Sequence, residues 1–190
     1  MKSHILNRLN DEEFFLFCQE QRDLKIERTA QGEIIIIPPT GFETGDFNSE
    51  LNRQLGNWNF EKKTGKVTDS STGYILPNGA TRSPDAAWIS LERLAGLTRL
   101  QLKKFPPVCP DFVVEIRSET DHLKTLQDKM EEYIQNGARL GWLIDPGNEK
   151  VYIYRQSGNH TIVEGFDQIL SGEDVLPGFE LMLDVFPGSE

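Results

Sequence analysis

The stretch "PDFVVEIRSETD", Pro110–Asp121, decides the fold. Four of its first seven residues, Phe112, Val113, Val114 and Ile116, are bulky and apolar, which reads as a buried strand. Side chains alternate along a strand, so Phe112, Val114 and Ile116 cover one face. Asp111, Val113, Glu115 and Arg117 take the other. A carboxylate near the C-terminal end of a central strand sits where open α/β sheets place their ligands.

Downstream, Ser118 can cap a helix, with Asp121 in the Glu position of a capping box, and Gly137 can end it. Leu123, Leu126, Met130, Tyr133 and Ile134 form its apolar face. Lys129 lies roughly 80° from the centre of that face. It is either a solvated flank residue or a side chain that snorkels toward the strand ends. "LGWLIDP" (140–146) reads as a second buried strand, "EKVYIYRQ" (149–156) as its hairpin partner and "HTIVEGF" (160–166) as a further strand.

Upstream, "NDEEFFLFCQEQ" (10–21) reads as a short helix capped by Asn10 or Asp11. "GEIIIIPP" (32–39) is a strand ended by prolines. Phe47, Leu51, Leu55 and Trp58 recur at helical spacing across 44–59. Residues 66–90 carry the turn signals "SSTG" and "PNGA" and fit a hairpin or meander, and "LERLAGL" (91–97) a short helix. The mixed order predicts an α/β sheet with helices packed on it.

A second acid comes from "SPDAAWIS" (83–90), where Asp85 opens a short apolar strand. Two carboxylates on adjacent strands repel unless a cation sits between them. With a backbone carbonyl and waters they make the oxygen shell Mg²⁺ prefers. The plain alternative is a Pro-Asp turn, a dipeptide that recurs at Pro110-Asp111.

Composition excludes several classes. With 190 residues, 37% hydrophobic and 26% charged, the chain is ordinary globular material. The N-terminus, "MKSHILNRLNDEEFFLF", lacks the pattern of a secretory signal, and no apolar run reaches membrane-spanning length. A cytoplasmic protein without membrane contact is the expectation. Cys18 and Cys109 lie far apart, as do His4, His122 and His160, which argues against structural zinc and a disulfide scaffold. No phosphate loop is present. The net charge of −10 argues against non-specific nucleic-acid binding, but residues 51–104 hold nine Lys/Arg against four acids, a local +5. That segment is either a solvated face or a polyanion-facing surface.

"SPDAAWIS", the run from "CPDFVVEIRSETD" through "VYIYR", "LSGEDVLPGFEL" and "PPTGFETGDFNSELNRQL" together resemble the Uma-two family. Its members, formerly a domain of unknown function, are catalogued as restriction endonucleases of the PD-(D/E)XK nuclease superfamily. The resemblance spans nearly the whole chain and implies one domain over 1–190, with a restriction-endonuclease-like mixed central sheet flanked by helices. It also implies Mg²⁺- or Mn²⁺-dependent hydrolysis of DNA. The family's aspartate falls on Asp85 and its second acid on Glu115; the metal would be held by these two and the backbone of Ile116. Arg117 stands where the superfamily lysine is usual, and in such families the lysine is thought to have moved to the following helix, which points to Lys129. Arg117 competes for the role, although a guanidinium is a poor base. An upstream helical acid often completes such sites; Glu43 is the first candidate and Glu50 the second.

Double-strand cleavage by a one-site subunit further implies a homodimer or higher homo-oligomer. Two other classes stay open: a catalytically inactive nuclease-fold module that binds nucleic acid or protein, and a self-associating structural protein using "GWLIDPGNEKVYIYR" as an edge strand.

Overall fold

The computed structural model describes residues 9–158 and 160–185, so His4 lies outside it. The chain runs α1 (Asp11–Glu20), β1 (Lys25–Arg28), β2 (Ile34–Ile37), α2 (Phe42–Lys62), β3 (Gly65–Asp69), β4 (Tyr74–Ile75), β5 (Thr81–Arg82) and β6 (Ala86–Ser90). It continues α3 (Leu91–Ala95), α4 (Arg99–Leu102), β7 (Phe112–Ile116), α5 (Leu123–Gln135), β8 (Leu140–Asp145), β9 (Lys150–Arg155), β10 (Thr161–Glu164), β11 (Ile169–Ser171) and β12 (Glu180–Met182).

The main sheet has six strands in the order β10-β9-β8-β7-β6-β3. The opening stretch is one of its two central strands. β7 pairs in parallel with β8 and antiparallel with β6, and all five of its residues are buried. Parallel neighbours need a crossover, and α5 supplies it. The helix lies close because Gly141 on β8 has no side chain: a Cβ there would stand 2.5 Å from Cε of Met130. One face of the sheet packs against α2 through Phe47, Leu51, Leu55 and Trp58, with Phe112, Val114, Ile116 and Trp142 beneath. The other packs against α5 through Met130 and Tyr133, with Val113 and Leu143 beneath. These are the two faces expected from the alternation of β7.

A second sheet, β2-β1-β5-β4, stands apart from the first. Of the hairpin or meander expected over 66–90, the structure forms a hairpin and no continuous meander. β3 pairs with β6, and the "PNGA" turn closes the hairpin β4–β5, which joins the other sheet. The cause is burial: Tyr74 and Leu76, between the turn signals, and Ala80, at the end of the second, pack into the α5-side core rather than alongside β3. Helix α5 also starts later than expected. Ser118 and Asp121 do bond to each other, at 2.6 and 2.9 Å, but they close a turn; the helix begins at Leu123 with His122 as an N-cap that makes no side-chain bond. β8 and β9 are both internal, so the segment 141–155 does not offer a free edge; β10 is the edge on that side.

Gly65, at the start of β3, is a position no other residue fits. A Cβ would stand 2.3 Å from the backbone oxygen of Ile89 and 2.4 Å from the Trp88 ring. Backbone cannot swing aside as a side-chain tip can. Gly65→Ala is therefore expected to cost about 1–3 kcal/mol or more, the usual range of overpacking, as a lowered midpoint in urea.

Candidate active site

Three elements converge at the C-terminal end of β7. Glu115 is the penultimate residue of that strand and is 4% exposed. Asp85 immediately precedes β6, in the register that places Ala86 opposite Val114. Its Oδ2 accepts the Ile116 N–H at 2.9 Å, and its Oδ1 lies 3.5 Å from Lys25 Nζ. Asn52 of α2 holds the Asp85 backbone oxygen at 3.1 Å. Lys129, in the middle of α5, extends inward: its Nζ is 2.8 Å from Glu115 Oε1 and 2.9 Å from Glu27 Oε1. Of its two readings, the snorkelling one is what the structure adopts.

Glu27 was not singled out in the sequence. It lies on β1, only 2% exposed, and receives Arg82, the Ser83 N–H and Lys129. "KIER" is four residues with three charges, which leaves no apolar period to mark a strand. The signal was indirect: "IIII" needs a partner strand, and Gly32, with φ +87°, turns the chain back to provide it. Tyr133 was read as core only, yet its hydroxyl donates to Glu115 Oε1 at 3.0 Å.

The other candidates lie as follows. Ile116 is buried in the core and borders the cleft, its N–H held by Asp85. Arg117 follows the last residue of β7 and turns away, to Asp145 Oδ2 at 2.9 Å and the Asp121 backbone oxygen at 3.1 Å. Glu43, in the first turn of α2, lines the cleft, whereas Glu50 is tied to Arg53 and Gln54 outside it. In the basic segment, Arg53, Arg82, Arg93 and Lys104 are each engaged by an acid within the chain, and of the nine only Arg82 borders the cleft. The segment does not form a basic wall there.

The cleft has a volume of about 1280 Å³ and joins the two sheets. Charge is divided unevenly at its floor. Burial pushes the Glu27 carboxyl up, but Lys129, Arg82 and the Ser83 amide outweigh burial and hold it below the ordinary carboxylate value. Burial pushes Glu115 up to about 7; Lys129 opposes this, Asp85 and Glu27 add to it, and Lys25 opposes it last and least. Burial also disfavours charge on Lys129, yet Glu115 and Glu27 overcome this and raise its pKa. One ammonium thus serves two carboxylates, and Glu27 has Arg82 beside it as well.

A pH dependence follows. The folded value of Glu115, about 7, exceeds its ordinary 4.5, so the folded chain holds this proton more tightly. The resulting stability is full below about 4.5 and is lost as pH rises through about 7. Without divalent ions, Glu115→Gln is expected to flatten this decline, so that its denaturation midpoint exceeds that of the native chain at pH 8 and the gap closes toward pH 5. Parallel native and variant curves would contradict the assignment.

The donor set fits a hard divalent cation. Asp85 and Glu115 offer oxygens at one floor beside Ile116, and Asn48 Oδ1, on a residue lining the same cleft, is a buried acceptor with no hydrogen-bond partner among the described residues. No three His, Cys, Asp or Glu side chains among the described residues cluster closely enough to hold a metal by themselves. The fit is to an ion that keeps waters or substrate oxygens in its shell.

The mixed central sheet flanked by helices is a nuclease-fold α/β architecture. A solved structure described as "a putative nuclease belonging to DUF820 from Anabaena variabilis ATCC 29413" shares the fold, with TM-score 0.73 at 17% identity, covering 85% of this chain and 89% of that one. The Uma2 family model, described as "Putative restriction endonuclease", matches residues 11–185, and the chain belongs to that family. The comparison with curated proteins gives no match. Among the described residues no helix is long and apolar enough to cross a membrane.

Proposed function

We propose that the chain, as one nuclease-like domain over 1–190, is a cytoplasmic divalent-metal-dependent endonuclease that hydrolyses DNA phosphodiester bonds. The observation that carries this reading is Lys129 Nζ at 2.8 Å from Glu115 Oε1. A lysine from the helix after β7 reaches the strand acid, where the superfamily's lysine acts. Asp85, Glu115 and the Ile116 carbonyl would hold Mg²⁺ or Mn²⁺. When bound, such an ion polarises a phosphate and lowers the pKa of a water.

The chain's own residues divide the remaining work. Lys129 stays protonated between its two carboxylates, so it offsets developing negative charge rather than removing a proton. Glu27 positions Lys129 and Tyr133 orients Glu115. Glu43, which lines the cleft, would serve as a further acceptor for water there. Arg117 braces the strand end through Asp145. Cutting both strands of a duplex would call for a homodimer or higher assembly.

One observation favours the inactive-module reading: acids outnumber cations in the cleft lining. Supercoiled plasmid incubated with Mg²⁺, Mn²⁺ or chelator decides between them. Relaxation with either ion and none with chelator supports the nuclease; intact plasmid in all three supports the module.

A further inference from the structure

The cleft has walls of unlike chemistry. One is apolar, made of Ile35, Ile37, Pro38, Pro39 and Phe42, and Phe42 is 89% exposed. The described lining also holds nine Asp or Glu side chains but three cations, Lys25, Arg82 and Lys129. Each of the three already faces a carboxylate of the chain, Asp85 for Lys25, Glu27 and Glu132 for Arg82, and Glu27 and Glu115 for Lys129.

A duplex carries one phosphate charge per about 1.7 Å of axis and is ordinarily bound by free lysines and arginines. This cleft has none among its described lining. A nucleic acid entering it would draw affinity from the ion at the floor and from contacts other than lysine or arginine pairing with phosphate. The strongest uncharged contact available to a nucleic acid is stacking of a base on an aromatic ring, which requires the base to be out of its pair. Phe42 offers that ring at the cleft, and the preceding Pro38-Pro39 restrict the backbone that leads to it.

We propose that the substrate of this site is nucleic acid with unpaired nucleotides, a single strand or an unwound segment, and that Phe42 is the specificity-determining residue on which a base stacks. This rests on the nuclease reading above and narrows it. Solvent exposure of Phe42 makes its replacement harmless to the fold, so the test is direct.

The full chain, with Ca²⁺ as the divalent ion, is titrated against a fluorescent single-stranded oligonucleotide and against the duplex of the same length, reading anisotropy. The single strand is expected to bind more tightly than the duplex. Phe42→Ala should weaken single-strand binding on the order of tenfold to a hundredfold, and Phe42→Trp should keep it. The log–log salt slope should be shallow, since few phosphates are neutralised. Equal or tighter duplex binding, or single-strand affinity indifferent to Phe42→Ala, overturns the inference while leaving a duplex nuclease intact. Binding of neither form overturns both.

Discussion

Asp85→Ala is expected to abolish divalent-dependent plasmid relaxation and leave a folded chain, and Glu115→Ala to do the same. Each removes one of the two side chains that would hold the ion. The structural costs are local. Losing Asp85 leaves the Ile116 N–H without its carboxylate acceptor, a buried donor worth about 1–3 kcal/mol when orphaned. Against this, Asp85 is one of the groups that push Glu115 up, so its removal relieves repulsion. Losing Glu115 frees the Tyr133 hydroxyl and leaves Lys129 to Glu27 alone. Asp85→Asn separates the two roles, because an amide oxygen still accepts the Ile116 N–H while the charge is gone; it too should be inactive. Mn²⁺ binding by calorimetry should vanish with activity in all three. Variants that cut like the native chain would place the metal elsewhere.

Lys129→Ala is expected to lower turnover by about 10² to 10⁴ while Mn²⁺ affinity is kept or rises, since an ammonium repels the cation it stands beside. The same change leaves two buried carboxylates without their shared cation. Breaking a buried pair costs about 3–5 kcal/mol, tempered here because Glu115 readily takes up a proton. Denaturation and metal binding must therefore be read with the rate. Lys129→Arg should restore part of the activity, because a raised pKa means the residue supplies charge and not basicity. Arg117→Ala should lose stability through Asp145 and retain turnover. The reverse pattern, with Arg117→Ala inactive and Lys129→Ala near native, would give the lysine's role to Arg117.

What the sequence made legible follows periodicity. The run 112–116 and the recurrence of Phe47, Leu51, Leu55 and Trp58 are strong patterns set by burial on one or two faces, and their elements stand where the periods put them. Lys129 was placed at the edge of an apolar helix face by the same geometry. The rest depended on contacts between distant segments. Glu27 sits 102 residues from the lysine it holds, and β1 is too short and too charged to declare itself. The pairing of β3 with β6 rather than β4 was decided by where Tyr74 and Leu76 bury, which no local turn signal encodes. Arg117 shares the alternation of β7 on paper, but the strand ends one residue before it, and Asp145 takes the guanidinium.

The hairpin β1–β2 pairs Lys25 with Ile37 and Glu27 with Ile35, so the buried acid beside Lys129 and the apolar wall arise from one ribbon. Its two strands tolerate change very differently. A one-residue slip of β1 would exchange Glu27 for Ile26 or Arg28 opposite Lys129. A slip of β2 would exchange one isoleucine for another. Lengthening or shortening the connection between them can thus alter the depth and outline of the wall without altering its chemistry. The shape of the cleft is open to variation at the 29–33 turn without change to the charged half of the same hairpin.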